Sequence, residues 1–388
     1  MKGQTHLLGC EVAMLNHYLA GTIPQMIERG RVLTASIPRD LPRDYDALRT
    51  TCKQRVDESI RLLQTLQSSI NTAFGSEHLR AFKRIVSEMD ALETVGIAAL
   101  SRASNEDHKI NSLISKITRE IKYPRLTPVI TTLSQSYFCI YPTFNLLCIP
   151  LIEGKFLLHL PDLYHELAHP FFTERNDPLI EPFQHRFEDA IVEVINHFNE
   201  EKNKAEYRRG PKHLYDLLHV WQRSWVQFWI EEFFCDLYGV YTLGPAFVWS
   251  HLHLVIKRGG DPYEVFMRRT SHPCDHARMT AMLYALHLSG FPEMAEQIQQ
   301  KWSKFLEQIV AQPEPEYHRC YPTTLIETVA NKAWDAVQEI QARIATPMTQ
   351  DPIHNLLNQA WQKFWQNPSM YVNWEKQEVE NLLTECDR

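Results

Sequence analysis

Along the first third of the chain apolar residues recur every three or four positions. Val56, Ile60, Leu63, Leu66, Ile70 and Phe74 make one stripe, and Leu79, Phe82, Val86 and Met89 repeat it before Leu92 and Val95. That period is the signature of helices with one buried face. Ser104 with Asp107 reads as a capping box that starts a further helix, with Ile110, Leu113, Ile117 and Ile121 turned inward. Residues 1–123 therefore predict an N-terminal helical bundle. The texture changes at Tyr123-Pro124-Arg125. From Val129 to Leu160 β-favouring residues dominate, and short strands are expected around Tyr137–Ile140, Asn145–Pro150 and Phe156–His159, with Glu153-Gly154-Lys155 as a turn. Pro161 suits the first turn of a helix over 162–169, and Pro170 should end or kink that helix.

Helical periodicity then returns. Phe187, Ile191, Val194 and Ile195 share a face, and Arg208-Arg209-Gly210-Pro211 breaks the pattern. Leu214 to Tyr241 reads as a long helix so apolar, with Leu218, Trp221, Trp225, Phe228 and Trp229, that it should be buried on most sides. Gly259-Gly260-Asp261-Pro262 is a turn, and after a Pro-rich break at 313–322 three amphipathic segments cover Leu325–Ile344, Pro352–Trp365 and Val372–Leu383. The expected fold class is mainly α with a small β-sheet (α+β). Its expected domains are an N-terminal bundle at 1–123, a central core at 124–290 and a C-terminal helical region at 291–388.

Composition narrows the function. Of the 388 residues 44% are hydrophobic and 22% charged, as in ordinary globular proteins. A formal charge of −7 with scattered basic residues gives no support to nucleic-acid binding. The longest uncharged run, Leu126–Ile152, is interrupted by Pro128, Pro142 and Pro150, so no transmembrane segment is expected. The N-terminus lacks the apolar core of a signal peptide. The eight cysteines contain no C-x-x-C pair and read as reduced, packed thiols. A cytoplasmic location is the expectation.

The chemistry concentrates in His165-Glu166-Leu167-Ala168-His169, an H-E-x-x-H motif. On a helix its two imidazoles stand one above the other and can close on one Zn²⁺, with Glu166 beside the metal as general base toward water. The long apolar helix carries Glu231 and Glu232, and acids in such a setting need a partner. Glu232 and Asp236 lie four apart on one face, so Glu232 suits the third zinc ligand and Asp236 suits accepting the N–H of a ligating imidazole. Glu231 points about 100° away from its neighbour, and its removal is expected to leave zinc binding normal. His272 and Arg278 converge on the metal only if His272 belongs to the lead-in of a helix that winds from Pro273. Placed there, the basic pair is suited to steady a developing oxyanion.

These motifs resemble the gluzincin metallopeptidases, in which H-E-x-x-H is followed by a helix bearing E-x-x-x-D. The likeness is closest to the CAAX prenyl endopeptidase and heat-shock membrane protease family, whose members often add a G-x-D-P turn and H-P-x-x-x-x-R. Here these are Gly259-Gly260-Asp261-Pro262 and His272-Pro273 with Arg278, while Cys235 stands where an alanine is usual. The resemblance covers roughly residues 140–285. It implies a zincin-like catalytic core flanked by helical regions, with His165, His169 and Glu232 as zinc ligands, Glu166 as base, Asp236 as the partner of His165, and His272 and Arg278 as substrate or transition-state contacts. Pro170, the lack of membrane spans and the helical flanks depart from that family. The function expected is a soluble zinc metalloendopeptidase acting on a protein or peptide substrate, with flanks that are candidates to bind a regulatory or substrate partner. The alternative is a zincin-fold scaffold or regulatory binding protein with little turnover. The presence of Glu166 favours the enzyme, because a scaffold needs only the ligands.

Overall fold

The computed structural model describes residues 2–69, 75–103, 105–134, 137–173, 177–207, 212–265, 268 and 270–386. Ile70, Phe74, Ser104 and the 208–211 break lie outside them. The chain divides into two compact units, one comprising residues 1–111, 129–133 and 143–146 and the other residues 112–128, 134–142 and 147–388. The fold class is mainly α with a small β-sheet, as the periodicity requires.

In the first unit α1 (Lys2–Ser36), α2 (Asp46–Ser69) and α3 (Gly75–Ala91) pack on one another. The stripe on α2 buries Leu48, Cys52, Val56, Leu63 and Leu66. A π-helical turn over Leu92–Ile97 joins α3 to α4 (Ala98–Arg102), and α5 (Asn105–Glu120) follows.

Three short strands, β1 (Val129–Thr131), β2 (Cys139–Tyr141) and β3 (Leu146–Cys148), form one sheet in the order β1-β3-β2. The strand expected at Phe156–His159 is absent. Glu153–Lys155 is a single 3₁₀ turn, and residues 157–160 continue as turns. His159 N–H donates to Phe156 O at 3.1 Å, and Leu163 N–H to Leu160 O at 3.0 Å. The reason is burial without alternation: the consecutive Leu157 and Leu158, together with Leu160, are all buried. A half-buried strand would point successive side chains to opposite faces. The Leu157 N–H is taken by the Glu375 carboxylate at 2.8 Å rather than by a neighbouring strand.

The second unit carries α6 (Asp162–Glu166), α7 (Pro170–Thr173), α8 (Glu181–Tyr207), α9 (Lys212–Ser224), α10 (Ile230–Leu243), α11 (Pro245–Arg258) and α12 (Asp275–Leu288). It continues with α13 (Pro292–Gln308), α14 (Pro315–Cys320), α15 (Thr323–Glu339), α16 (Pro352–Gln366) and α17 (Pro368–Cys386). Thus α14 occupies part of the expected Pro-rich break. The helix expected over 162–169 is shorter than its motif. It ends at Glu166, residues 167–169 form a turn, and α7 restarts on Pro170. Proline cannot donate to the carbonyl four residues back, and its ring crowds that turn, so Pro170 serves as a helix start instead.

The long apolar helix is present as α9 and α10, run together through a π-helical turn at Trp225–Trp229. Every residue of α10 except Glu231 is buried, and α10 lies against α6, α12 and α15. Trp225 stacks on Phe233 with ring centroids 4.9 Å apart, and Trp229 donates its indole N–H to Thr270 O at 3.1 Å. Large side chains buried this completely are worth roughly 1.5–3 kcal/mol each, which makes α10 the fixed element of the unit. Gly244, at φ 78°, turns the chain from α10 into α11. The two helices approach closely at Gly239, where an added Cβ would lie 2.5 Å from the Phe247 ring.

Candidate metal centre

A cavity of about 760 Å³ lies within the second unit. Its floor is made by α6 and α10, one wall by Phe138, Cys139 and Ile140 at β2, and another by α11. Phe247, His251, Leu254 and Arg258 of α11 follow one another by four, three and four residues, so a single face of that helix lines it. All seven residues singled out from sequence border this cavity: His165, Glu166, His169, Glu232, Asp236, His272 and Arg278.

His165 stands at the end of α6 and His169 in the turn that follows. Their rings are 5.0 Å apart between centroids, at 72° to each other. His165 Nδ1 meets Asp236 Oδ1 at 2.9 Å, and His169 Nδ1 meets Glu231 Oε1 at 3.0 Å. A carboxylate at Nδ1 holds the proton there, so that Nε2 is the nitrogen that can give up its proton to a metal. Asp236 takes the place expected of it against His165. Glu231, expected to point away from Glu232, faces His169. The signal that points to it is a matter of counting, since two ligating imidazoles need two Nδ1 acceptors and Asp236 supplies one.

Glu232 is buried, and its Oε2 lies 3.4 Å from His165 Nε2 and 3.5 Å from His272 Nε2. That oxygen has no hydrogen-bond partner among the described residues. Burial would raise its pKa, but His165, His272 and Arg278 pull it down to about 2, so the carboxylate is charged. A buried anionic oxygen without a donor is costly unless a cation sits beside it. Donor chemistry and burial therefore both fit a zinc ion bound through His165 Nε2, His169 Nε2 and Glu232. Cys235 offers another donor, because ligand atoms of His165, His169 and Cys235 all lie within 4.8 Å of one another. Its thiol is fully buried, and burial together with Glu232, Glu231, Asp236 and Glu166 pushes its pKa well above the ordinary value. Glu232 and Cys235 are thus alternative third donors: Glu232 is the charged one without a metal, and Cys235 completes the set of mutually close ligand atoms.

Asp236 is completely buried and is gripped by Arg278, through Nε at 2.6 Å and Nη2 at 2.7 Å. Burial opposes its charge, but Arg278 and His165 hold the carboxyl far below the usual range. This two-point pair fixes the carboxylate that orients His165. Arg278, expected as a substrate or transition-state contact, lines the cavity and also holds Asp236. His272 sits in the lead-in to α12, near Glu232, with Ser271 Oγ 2.8 Å from its Nδ1. At the start of α6 the half-buried Asp162 accepts hydrogen bonds from Tyr137 and from Ser250 Oγ, the latter at 3.1 Å, which anchors the short helix.

Compared with protein-family models, with curated proteins and with solved structures, the chain matches none.

Proposed function

We propose that this chain is a zinc-dependent metalloendopeptidase of gluzincin type, related in chemistry to the CAAX prenyl endopeptidase and heat-shock membrane protease family. The observation that carries the reading is a paired one. Two imidazoles of an H-E-x-x-H motif are each held at Nδ1 by a carboxylate from one helix, beside a third carboxylate, Glu232, whose Oε2 has no hydrogen-bond partner among the described residues. Bound there, zinc would supply Lewis acidity to the scissile carbonyl and to the attacking water.

The chain's own residues have the remaining roles. Glu166, buried at the cavity floor, takes the proton from the attacking water and passes it to the leaving amine. His272 is placed to donate to the oxyanion that develops on the carbonyl. Asp236 and Glu231 keep the imidazoles aimed, and Arg278 keeps Asp236 aimed. β2 lies at one end of the sheet order and lines the cavity, so an extended substrate can pair with its free edge. A protein or peptide is therefore the substrate class. No described helix is long and apolar enough to cross a membrane. A cytoplasmic setting belongs to the same proposal, in keeping with the free thiols of Cys52, Cys139, Cys148, Cys235, Cys274 and Cys320.

The test compares newly formed protein ends in cells expressing the wild type or Glu166→Gln. Loss of the base should reduce turnover by about 10²–10⁴-fold, while zinc content by elemental analysis stays the same. Equal cleavage by a zinc-loaded Glu166→Gln protein sinks the mechanism.

A further inference from the structure

Cys139 lines the cavity away from the metal site, and Cys148 lies on the strand beside it. β2 and β3 are sheet neighbours joined by residues 142–145, a single 3₁₀ turn followed by Asn145 at φ 47°. A connection this short makes them an antiparallel pair. Both strands are three residues long, so an antiparallel pair with aligned ends sets Cys139, first in β2, opposite Cys148, last in β3. Directly opposed antiparallel residues have Cα atoms about 4.5–5.5 Å apart, within the roughly 4.4–6.8 Å that a disulfide spans. The two thiols perturb each other's ionisation in opposite directions. Cys148 is buried, whereas Cys139 is partly exposed and borders the cavity.

We propose that Cys139 and Cys148 form a peroxide-responsive dithiol on the cavity wall, with Cys139 the attacking sulfur and Cys148 the resolving one. The Cys139 thiolate attacks one oxygen of hydrogen peroxide. An S–O bond forms, the O–O bond breaks, and the leaving hydroxide takes up a proton as water. Cys148 sulfur then attacks the resulting sulfenic acid. The S–S bond forms, the S–O bond breaks, and the departing hydroxide leaves as water with the Cys148 proton. Two thiols lose two electrons to one peroxide, and a dithiol reductant reverses the change.

Selectivity follows from the surroundings. The hydrogen bond from Cys148 lowers the Cys139 pKa to about 7, against the opposing effects of burial and Glu166. Its partner moves upward because the pair shares a proton. Burial pushes Cys52, Cys235, Cys274 and Cys320 upward as well. Among the described cysteines Cys139 is thus the one that carries appreciable thiolate at neutral pH, the form that peroxide oxidises.

The experiment treats the full-length protein with hydrogen peroxide, with zinc bound and after chelation, then denatures and alkylates it for mass spectrometry. Cys139 and Cys148 should lose alkylation together, with loss of two hydrogens from the peptides that carry them and full recovery on dithiothreitol. Cys139→Ala should restore alkylation of Cys148. Cys148→Ala should leave Cys139 as a sulfenic acid trapped by dimedone. Oxidation of Cys139 in the wild type with Cys148 still alkylated overturns the proposal, as does peroxide reacting first at another cysteine. The readout is covalent, so it stands or falls independently of whether the cavity hydrolyses peptides.

Discussion

Glu231→Gln and Asp236→Asn take the charge from equivalent bonds to the two imidazoles, yet the structure assigns them different costs. Asp236 is wholly buried and carries both His165 and the guanidinium of a buried Arg278. Asparagine there leaves that cation without its counter-charge, a change that typically costs about 3–5 kcal/mol. The Glu231 side chain keeps 32% of its exposure and is bonded to His169 alone among the contacts described here. Its neutral replacement should cost at most about 0.5–1.5 kcal/mol. Metal affinity should fall by roughly 10–100-fold in either case, since each variant loosens one ligating ring. Zinc affinity is read by competition with a chromophoric chelator. Stability of the metal-free protein is read by denaturant unfolding followed through tryptophan fluorescence, and all nine tryptophans lie in the unit that holds the site. The expected pattern is two variants with comparably weakened zinc, of which only Asp236→Asn is strongly destabilised. A Glu231→Gln protein that binds zinc within twofold of wild type refutes the role given to Glu231. Equal stability losses refute the burial argument for Asp236.

Glu232→Ala should abolish stoichiometric zinc while Cys235→Ala retains it, and the wild type loaded with cobalt should lack a thiolate charge-transfer band; the opposite outcome makes Cys235 the third ligand. Zinc uptake at neutral pH should release about one proton, read from buffer-dependent calorimetric enthalpies. Burial lowers the His165 pKa, but Asp236 and Glu232 raise it from 6.5 to about 10 in the metal-free protein. Its proton therefore stabilises the metal-free fold fully below pH 6.5, and that contribution disappears as pH rises through about 10. No proton release would remove His165 from the ligand set. Gly239→Ala drives a methyl to 2.5 Å from the Phe247 ring, and overpacking of that kind costs about 1–3 kcal/mol. Phe247→Leu should recover part of that loss in the double variant, and strict additivity would show that the contact does not govern the approach of α10 and α11.

Much of this was legible in the sequence because it depends on spacing. The 3.6-residue period marks the helices whatever their partners, and the H-E-x-x-H motif with E-x-x-x-D names its residues without a fold. His272 and Arg278 reach the cavity because the helix begins after His272, as Pro273 suggested. What the sequence concealed depends on three-dimensional neighbours. Leu157 and Leu158 read as strand until Glu375, more than two hundred residues away, supplies the acceptor for a turn. Arg278 looks like a free cation until Asp236 is found against it. The face of α11 that lines the cavity carries ordinary residues, and only its position makes it a wall.

The motif helix is too slight to explain the order of the site. α6 has five residues and passes into a turn before His169, and so short a helix has little cooperative stability of its own. The rigidity comes from α10, which is buried along nearly its whole length and sends Glu231 to one imidazole and Asp236 to the other. Those acids are five residues apart, farther round the helix than the i, i+4 face on which Glu232 and Asp236 sit. The carboxylates thus spread around α10 and meet two rings set at 72° to each other, while Glu232 lies between them in sequence. Just upstream, the π-helical turn at Trp225–Trp229 adds a residue to the helical count and re-phases all that follows. Without it the acids of α10 would point about 100° elsewhere, while Trp225 and Trp229 kept their places in the core. In the proposed reaction the H-E-x-x-H residues would supply the chemistry, and the aromatic packing of the partner helix the aim.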